Sequence, residues 1–133
     1  MGVMFLDSGA IYALADAGDI DQTAVRAIHA ETANRFVTHD LILVEVFSLI
    51  TKRLYKTAAL RVVGALRGSP RVEIVPLTPG LLSAGWDRCA RFSDKDWDWI
   101  DCVSFEVMEQ RGIREALTLD RHFVQAGFTA PLA

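Results

Sequence analysis

The sequence holds only two cysteines, Cys89 and Cys102, and their spacing matches no thiolate metal site. With 51% apolar residues the chain can build an ordinary core, so no disulfide staple is required and both are expected as reduced core thiols. It contains no GxxxxGK, GxGxxG or GxSxG segment, which leaves P-loop, dinucleotide-binding and serine-hydrolase chemistry without support. Long apolar runs are missing too. The opening stretch, MGVMFLDSGAIYALADAG, has no basic start and carries Asp7 in its middle, so neither a secretory leader nor a membrane span is expected. The expectation is a cytoplasmic protein with no membrane association.

A net charge of −3 argues against a protein that coats nucleic acid nonspecifically. One local absence is more informative. No acidic residue occurs between Glu45 and Glu73, while Lys52, Arg53, Lys56, Arg61, Arg67 and Arg71 give that stretch a charge of +6. The remainder holds 8 basic and 17 acidic residues, a charge of −9. Such a division suits a surface that attracts phosphate beside a site that gathers carboxylates, although a solvated basic helix pair would show the same pattern.

At 133 residues the chain fits one domain, spanning 1–133. GVMFLD reads as a strand ending at an acid, SGAIYALADAG as a helix, and residues 21–32 as a second helix with one apolar face. RFVTHD reads as a strand, with Asp40 placed to cap the helix LILVEVFSLITKRLY, whose few polar positions predict that it is largely buried. A helix over 57–67 and the strand RVEIVPL follow. Thr78 and Pro79 then open a helix, SDKDWDW is a charged loop, and IDCVSFEVMEQRG is a helix ended by Gly112. REALTLD is a strand, RHFVQAG a short helix, and FTAPL a possible fifth strand. Alternation on this scale predicts an α/β fold of three layers, α/β/α, around a central, mostly parallel sheet of four to five strands.

In such sheets ligands gather outside the carboxyl ends of the strands. Asp7 closes the first strand, Asp120 closes the strand ALTL, and Asp101 opens the helix after the charged loop. Glu45 lies one turn inside an apolar helix, where a carboxylate needs a partner, because an unpaired buried charge costs several kcal/mol or is neutralised. Taken singly, each acid could cap a helix, bind backbone amides or pair with a distant arginine. A shared hard cation, Mg²⁺ or Mn²⁺, would satisfy all four at once.

The blocks LDSGAIYAL (6–14), THDLILVEVFSLI (38–50), WIDCVSFEVM (99–108) and LTLDRHF (117–123) resemble, in order and spacing, the motif blocks of PIN domains. Together they span nearly the whole chain. The resemblance implies a doubly wound sheet, a divalent metal and RNA cleavage by an acidic quartet of Asp7, Glu45, Asp101 and Asp120. It also implies supporting hydroxyls at Ser8, Thr38 and Thr118. In many bacterial members the role is that of toxin in a type II toxin–antitoxin pair, with a cognate antitoxin as partner. Asp94, Asp96 and Asp98 rival Asp101 as the third acid, and Asp98 could assist as a further ligand. Asp101 is preferred because its position sets the carboxylate at a helix N-terminus.

Lys52, Arg53 and Lys56 are placed to hold flanking phosphates, and Trp97 and Trp99 to stack on unpaired bases or to pack against the core. His29 and His39 read as ordinary structural residues, and His122 as a neighbour of Asp120 that could touch substrate. The many apolar helices make a homodimer the expected assembly. Two other classes remain open: a PIN-like module that binds RNA or protein without cleavage, and a receiver-type phosphoryl-transfer domain with Asp7 as nucleophile. The second expects a late lysine, and none follows Lys95. An RNA-processing nuclease outside a toxin system also fits.

Overall fold

The computed structural model describes residues 2–16, 18–19, 21–31 and 34–133. Ala17 and Thr32, which the sequence reading put at helix ends, lie outside the described residues. The elements run β1 (Gly2–Leu6), α1 (Ser8–Ala15), α2 (Gln22–Ala30), β2 (Asn34–His39), α3 (Asp40–Arg53), α4 (Lys56–Gly68), β3 (Val72–Val75), α5 (Pro79–Arg91), α6 (Trp99–Arg111), β4 (Glu115–Leu117) and α7 (His122–Gln125). The strands form one sheet in the order β3-β2-β1-β4, every pairing parallel, as the alternation of strands and helices requires.

Strand order decides where a site can form. The chain moves outward from β1 through β2 to β3, then crosses back to lay β4 on the other side of β1. Neighbouring connections thus leave the carboxyl edge in opposite directions at β1 and β4, which opens a crevice there. The Asp7 N–H donates to the Leu117 carbonyl at 3.1 Å, so the ladder continues one residue past β1 and seats Asp7 beside the end of β4. Phe5 and Leu6 are fully buried beneath it, which fixes the strand in register and in depth.

The expected fifth strand is a single parallel bridge. Thr129 N–H donates to the Arg114 carbonyl and Ala116 N–H to the Thr129 carbonyl, both at 2.9 Å. Pro131 has no N–H with which to extend the pairing, so four strands stand.

Helix α3 departs from the sequence reading in two ways. Its N-cap is His39 rather than Asp40, because the Asp40 carboxylate accepts the Leu77 N–H at 2.8 Å and ties down the connection into α5. It is also not buried all round. Ile42, Leu43, Val46 and Ile50 face the core, while Val44, Ser48 and Lys52, four residues apart, form an exposed stripe.

Helices α5 and α6 pack unusually closely. A Cβ on Gly85 would sit 2.5 Å from Val103 Cγ2 and 3.0 Å from the Val103 backbone nitrogen, so only glycine fits at this crossing. Arg88, one turn further on, is buried between the helices and pairs with Glu106 at 2.6 Å and with Glu109. Thr78 caps α5 through its hydroxyl, which accepts the Leu81 N–H at 3.1 Å. Gly112 ends α6 in the left-handed region, φ 64°, with the Ile113 N–H returning to the Met108 carbonyl. His39, fully buried at the end of β2, stands 2.8 Å from the Ser104 hydroxyl on α6, and burial lowers its ring pKa to about 4. It is a strand-end structural residue, as the sequence suggested, and its burial keeps it neutral.

Candidate active site

The carboxyl edge of the sheet brings Asp7, Asp101, Asp120 and His122 together. Asp7 is 7% exposed, and the Thr118 hydroxyl donates to its Oδ2 at 2.6 Å. The same Thr118 oxygen accepts the Asp120 N–H at 3.0 Å, so one side chain spans the turn that follows β4 and links two acids. Asp120 in turn accepts the His122 N–H at 2.9 Å, which bends the chain back over the site. His122 Nδ1 lies 2.9 Å from Asp101 Oδ2 and 3.4 Å from Asp120 Oδ2. With two carboxylates as neighbours, that nitrogen carries the proton.

Asp101 owes its position to the start of α6. Asp98 is the N-cap: its Oδ1 accepts the Asp101 N–H at 2.8 Å, and Asp101 Oδ2 accepts the Asp98 N–H at 3.2 Å. This reciprocal capping box spends the Asp98 carboxylate on the helix end and leaves Asp101 facing His122. Asp94 and Asp96 are exposed in the preceding loop. The spacing of three residues separates the rivals that the sequence left open.

Burial, more than mutual repulsion, displaces the pKa values of these acids. Burial, partly offset by the Thr118 hydroxyl and the Ser8 N–H, raises the Asp7 pKa from 3.8 to about 7, with Asp101 and Asp120 adding repulsion. Burial and the neighbouring Asp98 charge raise Asp101 from 3.8 to about 6 against the pull of its His122 hydrogen bond. Burial works against a charged His122, but its hydrogen bond to Asp101 and the charges of Asp120 and Asp101 prevail and raise its pKa. Among the described residues no lysine or arginine pairs with Asp7, Asp101 or Asp120.

The donor set fits a hard divalent cation. One atom each from Asp101, Asp120 and His122 lies within 4.8 Å of the others, so the two carboxylates converge with His122 positioning them, and the buried Asp7 carboxylate adds its charge beside them. The cleft in front, about 510 Å³, is lined by Asp7, Ser8, Gly9, Asp120, His122 and Gln125 among others.

Other expected site residues fall elsewhere. Thr38 is fully buried and its hydroxyl donates to the Leu6 carbonyl at 2.9 Å, so it stitches β2 to β1 rather than supporting an acid. Glu45 is half-buried on α3, outside the trio of Asp101, Asp120 and His122, and no ion pair to it occurs among the described residues. Lys52, Arg53 and Lys56 are exposed, and the Arg53 guanidinium lies 5.4 Å over the Tyr12 ring, one turn along the helix that starts at Ser8. Trp97 is not available to a base: it is 9% exposed, packs against Phe92 and Phe105, and donates to Gln125 at 3.2 Å. Trp99 is exposed, edge-on to Trp86. His122 was the residue the sequence underrated, and its signal was the spacing of two residues from Asp120, which puts both side chains on one turn.

The profile of the PIN domain matches residues 4–129. The chain belongs to the PIN domain family. As a PIN domain it is 29% identical over 126 residues to the 23S rRNA-specific endonuclease VapC20 of two Mycobacterium tuberculosis strains, covering 95% of each protein. The crystal structure of M. tuberculosis VapC20, described as a sarcin–ricin loop cleaving toxin, superposes with a TM-score of 0.88 at 28% identity, covering 95% of this chain and 96% of that one. The three-layer α/β/α arrangement expected from the sequence is the arrangement of this PIN domain.

Proposed function

We propose that this PIN domain, residues 1–133 acting as one nuclease unit, is a metal-dependent endoribonuclease and the toxin of a type II toxin–antitoxin pair, working in the cytoplasm as a homodimer. The observation that carries the reading is the cluster of buried Asp7 and half-buried Asp101 with half-exposed Asp120, which has no lysine or arginine partner among the described residues. Carboxylates gathered at a ligand-binding edge without lysine or arginine partners are the chemistry of a divalent cation site. None of the helices in the described residues is long and apolar enough to cross a membrane.

In this reading Asp7, Asp101 and Asp120 hold Mg²⁺ or Mn²⁺, with Glu45 completing the charge from α3. Such a cation supplies Lewis acidity to the scissile phosphodiester and to an attacking water. Thr118 holds Asp7 in place through its hydroxyl, and His122 orients Asp101 and Asp120 from its ring nitrogen. Ser8 lends its N–H to the Asp7 carboxylate and starts α1, whose N-terminus favours a phosphate. Asp98 assists by fixing the turn that carries Asp101. Arg53, stacked over Tyr12, and its neighbours Lys52 and Lys56 hold phosphates further along the RNA. A cognate antitoxin holds the enzyme inactive.

The rRNA specificity of the VapC20 relatives makes ribosomal RNA the first substrate to test. Controlled expression in bacteria, with sequencing of RNA ends, should give growth arrest together with a small set of discrete cleavage sites. Asp101→Asn should remove both. Growth arrest that persists in Asp101→Asn cells without new RNA ends would overturn the reading.

A further inference from the structure

The chain's two cysteines meet at the crossing of α5 and α6, Cys102 in the core and Cys89 at its margin. The Cys89 thiol donates to the Asp98 carbonyl, with sulfur and oxygen 3.3 Å apart, and that same carbonyl accepts the Cys102 N–H at 3.1 Å. The Cys89 sulfur therefore rests on the first turn of α6, the turn from which Cys102 projects. The packing holds it there. Gly85 and Val103 mark the closest approach of the two helices, Cys89 lies one turn beyond Gly85 on α5, and Cys102 directly precedes Val103 on α6. The shared Asp98 carbonyl thus sets the Cys89 sulfur beside the backbone of Cys102.

We propose that Cys89 and Cys102 are a redox-active dithiol, closing reversibly into an intramolecular disulfide that staples α5 to the turn carrying Asp101. Exposure divides the roles, since Cys89 is half-exposed and Cys102 is fully buried. The oxidant is a low-molecular-weight disulfide, R–S–S–R. The Cys89 thiolate attacks one of its sulfurs, forming a mixed disulfide and expelling one thiolate, which takes up the proton Cys89 released. Cys102 then attacks the Cys89 sulfur, the protein disulfide forms, and the second small thiol leaves with the Cys102 proton. Two protein thiols are oxidised and one small disulfide is reduced to two thiols. Cys102 is fully buried, so it is shielded from reagents in solvent and meets only a sulfur lodged at its own helix turn.

The staple would tie the capping box of Asp98 and Asp101 to α5, linking the thiol state to the placement of a proposed metal-binding acid. The test does not depend on nuclease activity. The folded full-length protein is equilibrated in glutathione buffers of rising disulfide content, quenched with acid, denatured, alkylated with N-ethylmaleimide and weighed intact. The expected product is a monomer lacking two hydrogen atoms, bearing no alkyl group, with peptide mapping joining residues 89 and 102, and reversed by dithiothreitol. Cys102→Ser should instead stop at one glutathione on Cys89, and Cys89→Ser should remain unmodified while folded. Wild-type protein that keeps two alkylatable thiols, stops at the Cys89 adduct or cross-links between molecules would overturn the proposal.

Discussion

The Thr118 hydroxyl donates to Asp7 Oδ2 across 2.6 Å, a hydrogen bond between β4 and β1 separated by 111 positions in the chain. It is one of the few forces that keep the Asp7 carboxylate ionisable in a buried place, because it lowers a pKa that burial raises. Thr118→Val keeps the shape and deletes this donor. Affinity for Mn²⁺ should fall by roughly 10–100-fold, the usual loss when a supporting hydrogen bond to a ligand is removed. Calorimetric titration of both proteins with Mn²⁺ checks it, and unchanged affinity would detach Thr118 from the site.

Stability of the metal-free protein should depend on pH through the same acids. Between pH about 4 and about 7 the unfolded chain has already released the Asp7 and Asp101 protons while the folded chain still holds them, so stability falls as pH rises. His122 acts in the same sense, since its raised pKa gives a contribution that is complete below 6.5 and is lost as pH climbs through the folded value. Cation binding needs ionised carboxylates, so Mn²⁺ should stabilise more strongly toward the top of that window. Melting curves of wild type and Asp7→Asn in EDTA should show wild type losing ground as pH rises, and excess Mn²⁺ should reverse the difference. A pH-independent difference would contradict the burial of Asp7.

Much of this arrangement was legible in the sequence. Asp7 and Asp120 each follow an apolar run that stops abruptly, which put both at the carboxyl edge. Asp98 and Asp101 illustrate what spacing alone leaves undecided. Either could face the cluster until the capping box commits Asp98 to the Asp101 N–H. Thr38 was misjudged because a hydroxyl at a strand end can reach a carboxylate or a neighbouring strand, and only the β1–β2 register, with Phe5 opposite Val37, sends it to the Leu6 carbonyl. Trp97 takes the second of the two roles open to it in sequence: a charged loop surrounds it, but its ring packs against Phe92 and Phe105.

Glu45 separates ligand charge from structural charge. Its apolar sequence neighbours suggested deep burial, yet the helical period turns Val44 outward and leaves Glu45 half-buried, with no ion pair recorded among the described residues. Glu45→Gln should therefore change metal-free stability by no more than about 0.5 kcal/mol, as at an ordinary surface position. It should still lower Mn²⁺-dependent RNA cleavage by roughly tenfold or more if the carboxylate serves the cation. Full activity in the variant would remove Glu45 from the acidic quartet.

Arg88 offers the converse case. Its guanidinium is buried between α5 and α6 and pairs with Glu106, which keeps some exposure. Arg88→Ala should cost about 3 kcal/mol, the lower end for breaking a buried pair. Urea unfolding measures it, and a loss below about 1 kcal/mol would show the pair to be no stronger than a surface one.

The most direct test of the central claim is cleavage of RNA by wild type and Asp7→Asn, each with Mn²⁺ or Mg²⁺ and each with EDTA. Asp7→Asn removes ligand charge while keeping the volume of the side chain. The account expects cleavage only by wild type with cation, and a well-folded, inactive Asp7→Asn by circular dichroism. Cleavage that survives both EDTA and Asp7→Asn would contradict it.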